Sequence, residues 1–290
     1  MAFGKFFCTF ILFVTAFISF ASASVLSVTS ADGVSINYEI QGKGSSTLFF
    51  VHGWSCDSTY WSEQISFFKD KFQVITIDLP GHGKSGDNRE FWTVAKFGED
   101  VASVANQLDL KQVILIGHSL GGPIVIEAEP RISDRVIGIV GVDSGALKDP
   151  TKDPTQESVD RLLGNLRSDF PNAMKGIVKK YLFLPVSDPD LVDKVANDMA
   201  QQDPEIGIEV MKELRIWQMG NDWDSVKRVK KPITFINSER SLPNDELFEQ
   251  TVHFRYRLMS DVGHFPMMEK PKIFNQLLLE EIEEIVNFIN

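Results

Sequence analysis

The amino-acid sequence predicts an α/β fold: a mainly parallel sheet, doubly wound with flanking helices and interrupted once by a purely helical insertion. Three observations predict it. Short β-rich runs, Thr47 to Val51, Phe72 to Ile77, Val113 to Ile116, Arg135 to Val142 and Pro232 to Ile236, recur with helical stretches between them. These runs are predominantly apolar, as strands covered on both faces are. From Ser144 to Lys231 the strand pattern stops, and only helical periodicity remains.

In chain order, Lys5 precedes an apolar run from Phe6 to Phe20, and Ala21-Ser22-Ala23 follows with the small residues of a signal-peptidase site. Residues 1–23 are therefore expected to be a signal peptide, which makes the protein exported, either periplasmic or secreted. The run holds Thr9, Thr15 and Ser19 and is short for a span of roughly 20 residues, so no stable membrane insertion is expected after cleavage. Val25 to Ile40 alternates apolar and polar residues around Ala31-Asp32-Gly33, the pattern of a β-hairpin. A first part of the core then runs over residues 24–143, a helical cap over 144–231 and a second part of the core over 232–290. Within the cap, helices are expected to break at Pro154, Pro171, Pro185, Pro189 and Pro204. Phe254 to Met259 reads as a last, more amphipathic strand, and Ile273 to Ile289 as the closing helix.

The charge narrows the partners. Forty acidic residues against 29 basic ones give a net charge of -11, which repels polyanions and excludes a general affinity for nucleic acid or anionic lipid. Cys8 lies in the expected signal, so Cys56 alone would remain and no internal disulfide could form. Ser55 and Asp57 beside it supply no positive charge to lower a thiol pKa, and Cys56 reads as a passive cysteine. Nothing in the sequence sets the oligomeric state.

The chemistry gathers in a few segments. Gly117-His118-Ser119-Leu120-Gly121-Gly122 follows an apolar strand and precedes the apolar run Ile124 to Ile126, so G-x-S-x-G stands between a strand and a helix, where a sharp turn exposes the serine hydroxyl. Serine at its free pKa is a poor nucleophile and needs a base, which in turn needs an acid to orient it. Of the five histidines, His264 sits between the last strand and the last helix, on a loop that can reach over the sheet. His52, His82 and His118 lie in glycine-containing turns and read as structural, while His253 begins a strand without an evident role. His52-Gly53-Trp54 ends the strand at Val51, and the backbone amides of Trp54 and Leu120 are the candidate oxyanion hole.

His52-Gly53-Trp54, Asp78-Leu79-Pro80-Gly81-His82-Gly83-Lys84-Ser85, Gly117 to Gly122 and Gly263-His264-Phe265-Pro266-Met267-Met268-Glu269-Lys270-Pro271, in this order, resemble the α/β-hydrolase superfamily. Within it the sequence is most similar to single-domain, esterase-like bacterial hydrolases with a helical cap. The resemblance covers nearly all of the chain beyond the signal. It implies a mainly parallel eight-stranded sheet, a Ser-His-acid triad, and neither a metal nor an organic cofactor. Epoxide hydrolases and haloalkane dehalogenases share the layout but need an aspartate nucleophile, which Ser119 is not.

The sequence departs from this family at the acid. Relatives place an aspartate after the seventh strand in a pattern like Gly-x-x-Asp, whereas this chain reads Asn237-Ser238-Glu239-Arg240-Ser241. Asp143, at the end of the sixth strand, is the favoured substitute, in a position similar to that of the acid in pancreatic-type lipases. Glu239 is the alternative, with Asp245 or no acid at all behind it. The expected function is hydrolysis of a carboxylic ester or related acyl bond in a small to medium apolar molecule, with Trp61, Phe91, Trp92 and Trp217 as possible pocket walls. Two alternatives stay open: a C-C bond hydrolase or lactonase using the same triad, and a ligand-binding protein with hydrolase-like residues but little turnover.

Overall fold

The computed structural model describes residue 1 and residues 26–144, 155–220, 222–241 and 254–289. The expected signal peptide lies outside the described residues, as do Pro154, Asp245 and His253. Eight strands form one sheet in the order β1-β2-β4-β3-β5-β6-β7-β8. They are β1 (Leu26–Thr29), β2 (Ser35–Gln41), β3 (Thr47–Val51), β4 (Gln73–Ile77), β5 (Val113–His118), β6 (Val136–Val142), β7 (Ile233–Ser238) and β8 (Phe254–Met259). The hairpin β1-β2 is antiparallel and β2 meets β4 antiparallel, while every pairing among β3 to β8 is parallel.

Position in the sheet explains the composition of each strand. All five residues of β3 and all six of β5 are buried, because central strands are covered on both faces. The edge strands β1 and β8 leave half or more of their residues outside the core and carry polar side chains there. Two strands extend past their apolar runs. His118 stays in β5 opposite Val142, and Asn237 and Ser238 stay in β7 opposite Leu258 and Met259. All three polar residues are buried, so the ladder continues where hydropathy alone signals a loop. Asn237 and Ser238 therefore belong to β7 and not to the loop after it.

Helices α1 (Ser62–Phe68), α2 (Val94–Gln107) and α3 (Gly121–Ala128) follow β3, β4 and β5. Between β6 and β7 come α4 (Gln156–Ser168), α5 (Phe170–Ile177), a single π-helical turn (Val178–Leu182), α6 (Pro189–Met199), α7 (Pro204–Gly220) and α8 (Asp222–Arg228). The short α9 (Pro266–Glu269) and the long α10 (Pro271–Ile289) close the chain, the latter starting two residues before the expected Ile273. Pro171, Pro189 and Pro204 stand in the first turns of α5, α6 and α7: they start helices, where no amide donor is needed. Among the described residues no helix is long and apolar enough to cross a membrane.

Packing beneath the site is dense. Phe49, Phe50, Trp61, Phe97, Phe265 and Phe274 are fully buried, each contributing about 1.5–3 kcal/mol relative to exposure. The helices between β6 and β7 are tied to this core by polar bonds. The Trp54 indole N–H donates to the Gly207 carbonyl of α7 at 2.8 Å. Buried Glu127 of α3 accepts from the Trp217 indole at 3.0 Å, from the Ser225 hydroxyl at 2.5 Å and from Arg228 at 3.1 Å.

Candidate active site

Ser119 follows β5 directly, with φ of 51°, in the left-handed region that non-glycine residues occupy at a cost of about 1–3 kcal/mol. The turn is held by its own backbone: the Ser119 amide donates to the Val142 carbonyl at 3.0 Å, and its carbonyl accepts from the Gly122 amide at 3.0 Å. Helix α3 then doubles back against β5 and β3. A methyl group on Gly117 would collide with the Gly121 carbonyl, and one on Gly121 with the Val51 carbonyl, so both positions of the motif exclude any side chain.

His264 stands on the loop between β8 and α9, secured on three sides. Its amide donates to the Leu182 carbonyl at 2.6 Å, and its carbonyl accepts from His118 Nε2 at 2.7 Å. The preceding Gly263 amide donates to Glu269 Oε1 at 2.8 Å, and the other oxygen of that carboxylate accepts from the Ser187 hydroxyl at 2.6 Å. One carboxylate thus links the histidine loop to the segment between the π turn and α6. Neither Glu269 nor the His118-to-carbonyl bond was legible beforehand; both lie inside recognised motifs, but nothing local shows which backbone they hold.

The third group comes from β6. Asp143, also left-handed with φ of 40°, directs Oδ2 to His264 Nδ1 at 2.6 Å and accepts the Ser238 amide on Oδ1 at 2.8 Å. Burial alone would raise the pKa of this carboxyl, but the bond to the imidazole, its charge and the Ser238 amide outweigh burial and hold it below the usual aspartate value. Glu239 is exposed, its amide continuing the ladder to the Met259 carbonyl. The structure thus brings Asp143, and not Glu239, to His264.

The turn at His52-Gly53-Trp54 lies directly against this elbow: a methyl group on Gly53 would sit 3.2 Å from Ser119 Cβ and 2.8 Å from His118 Nδ1. Among the described residues neither the Trp54 nor the Leu120 amide donates to a backbone carbonyl. His52 is a brace, with Nδ1–H donating to the Gly53 carbonyl at 2.8 Å and Nε2 accepting the Leu79 amide at 2.9 Å. Asp78, from the Asp-Leu-Pro-Gly-His-Gly-Lys-Ser segment, accepts the amides of Ser58 and Lys84 at 2.8 and 2.9 Å and so organises the neighbouring loops. His82 and His118 are buried, and desolvation pushes each pKa down to about 3, so both are neutral at physiological pH.

Ser119, Asp143 and His264 open onto one cavity of about 340 Å³. Trp54 and Phe265 line it from the core side, and Leu162, Ile177, Leu182, Met199, Met211 and Leu214 from the helices between β6 and β7. The four aromatic residues expected there are elsewhere. Trp61, Trp92 and Trp217 are core residues and Phe91 is 59% exposed, because large rings fill space between layers more readily than they leave a hollow. Cys56 does touch the cavity, but burial raises its thiol pKa well above the ordinary value, and its Sγ donates to the Trp54 carbonyl at 3.3 Å. Among the described residues no three His, Cys, Asp or Glu side chains are grouped so as to hold a metal ion.

The chain is 26% identical over 282 residues to an uncharacterised hydrolase of Bacillus subtilis, an alignment covering 88% of this chain and 96% of that protein. Its fold superposes on an esterase from Exiguobacterium antarcticum with a TM-score of 0.80 and 19% identity, covering 89% of this chain and 98% of the other. A thermophilic esterase from Thermogutta terrifontis gives a TM-score of 0.78 at 22% identity, covering 91% and 99%. The model of the alpha/beta hydrolase family matches residues 48–277, from β3 into α10 and across every group of the site just described, and the chain belongs to that family.

Proposed function

We propose that the protein hydrolyses a carboxylic ester, or a related acyl bond, of a small to medium molecule through an acyl-enzyme on Ser119. The observation that carries this reading is the 2.6 Å bond between Asp143 and His264 on the wall of the cavity that also holds the left-handed Ser119. In the first step Ser119 Oγ bonds to the carbonyl carbon while its proton passes to His264 Nε2. The tetrahedral oxyanion is held by the Trp54 and Leu120 amides. Collapse breaks the bond to the leaving alcohol, which takes the proton from His264. Water then repeats the sequence and releases the acid, leaving serine and imidazole as they began. Asp143 acts through His264: an ionised acceptor on Nδ1 leaves Nε2 free to take a proton and steadies the imidazolium.

The apolar side chains Leu162, Ile177, Leu182, Met199, Met211 and Leu214 on the cavity wall support an acyl or alcohol group of modest size, and the esterases among the structural relatives agree with that choice. The test is Ser119→Ala against a panel of p-nitrophenyl esters of rising acyl length. Turnover should fall by as much as about a million-fold with the melting temperature little changed, and a fluorophosphonate probe should label Ser119 alone. Persistent labelling or ester turnover in the folded alanine variant would remove Ser119 as nucleophile.

A further inference from the structure

One side chain on the cavity wall does not suit an apolar ester. Arg215 lies on α7 one helical turn after Met211 and next to Leu214, so it shares their inward face and reaches the same cavity. Its one hydrogen-bond partner among the described residues is Gln218 Oε1, 2.9 Å from one guanidinium nitrogen and a turn further along its own helix. No carboxylate pairs with it there. Asp143 is the only carboxylate on the described cavity wall, and both of its oxygens are engaged by His264 and Ser238. Burial with no opposing charge lowers the pKa of Arg215, yet a guanidinium stays protonated at any physiological pH. A half-buried cation without a counter-ion is costly, and the cost is recovered when a ligand brings the missing anion.

From this geometry we infer that Arg215 is a specificity-determining residue that binds a carboxylate on the substrate, so that the preferred substrate is a half-ester: an ester at one end and a free carboxylate at the other. The inference rests on the esterase reading for the chemistry at Ser119. A carboxylate fits better than a phosphate dianion, because Arg215 is the only lysine or arginine on the described wall, and one planar guanidinium matches one planar carboxylate in a bidentate pair. The apolar side chains beside it would cover the chain between the two ends.

The experiment compares monomethyl adipate with methyl hexanoate, which share an ester end and a similar length but differ in terminal charge. The purified protein should show a kcat/KM about 30-fold higher for the charged ester, expressed mainly in KM. In Arg215→Gln that ratio should fall to near one, whereas Arg215→Lys should keep part of it. Raising the salt concentration should reduce the preference in the wild type and leave the glutamine variant unmoved. A wild-type ratio near one, or a ratio that survives in folded Arg215→Gln, overturns the inference. A second arm separates it from the reaction itself: titration of monomethyl adipate into Ser119→Ala and into Ser119→Ala with Arg215→Gln. If neither ester is turned over but the half-ester binds only when Arg215 is present, the esterase reading fails and the carboxylate site stands; if binding is equal with and without Arg215, the site fails.

Discussion

Replacing Asp143 by asparagine keeps the shape of the side chain and removes its charge, and the surrounding bonds determine how the amide must sit. One oxygen of Asp143 accepts the Ser238 amide at 2.8 Å, and only the carbonyl oxygen of an asparagine could do the same. The amide NH₂ would then face His264 Nδ1, at the position of the present 2.6 Å contact, and donate to it. That bond selects the tautomer with its proton on Nε2, so the nitrogen meant to accept the serine proton already carries one. The reverse orientation would set NH₂ against the Ser238 N–H, two donors facing each other in a buried site, which costs about 1–3 kcal/mol. The expected consequence is a fall in kcat on the order of 10⁴, or about 5.5 kcal/mol of transition-state stabilisation. Glu239→Gln, at an exposed position, should stay within about twofold of wild type, since exposed substitutions change little. The assay is steady-state hydrolysis of a p-nitrophenyl ester, with circular dichroism and thermal melting to show that each variant is folded. If folded Asp143→Asn keeps kcat within tenfold of wild type, or if Glu239→Gln alone collapses it, the assignment of the acid is wrong.

Three further expectations rest on other parts of the molecule. His82 and His118 keep pKa values near 3 in the fold against an ordinary value of 6.5, so between those limits the unfolded chain binds more protons and stability falls as pH falls. Their contribution is complete above about pH 6.5 and diminished by about 2 kcal/mol each at pH 5, which denaturant midpoints at pH 8 and pH 5 should show; equal midpoints would mean that these rings are not held neutral. Glu127→Ala leaves the Trp217 indole without its acceptor and uncouples α3 from α7 and α8, so unfolding free energy should drop by about 2–3 kcal/mol, measured by chemical denaturation, and an unchanged value would mean that the network carries no net stability. Met211→Ala enlarges the cavity on the side of α7, and the preferred acyl length of p-nitrophenyl esters should lengthen by about two carbons with acetyl-ester turnover nearly constant; loss of acetyl turnover from folded protein would contradict a purely steric wall.

The parts that could be read from the chain are those specified by neighbouring residues. Thr47 to Val51 and Val113 to Ile116 announce central strands because burial on both faces selects mostly apolar side chains, and the elbow at Ser119 announces itself because its glycines, Gly117 and Gly121, stand two residues to either side of the serine. Membership in the α/β-hydrolase superfamily follows from such local signatures taken in order. The acid could not be read in this way. Asp143 and His264 are 121 positions apart and meet only because β6, β7 and β8 lie side by side in the sheet, while Glu239, nearer in sequence to the usual position, is turned to solvent. The same holds for the cavity wall. Trp61, Trp92 and Trp217 share the composition of a pocket, yet they went to the core, and the hollow was left to Leu162, Met211 and Arg215. Local sequence sets which backbone shapes a segment can take at little cost; which side chains face each other across a cavity is decided by the packing of whole layers, a sum over many weak contacts that no single segment contains.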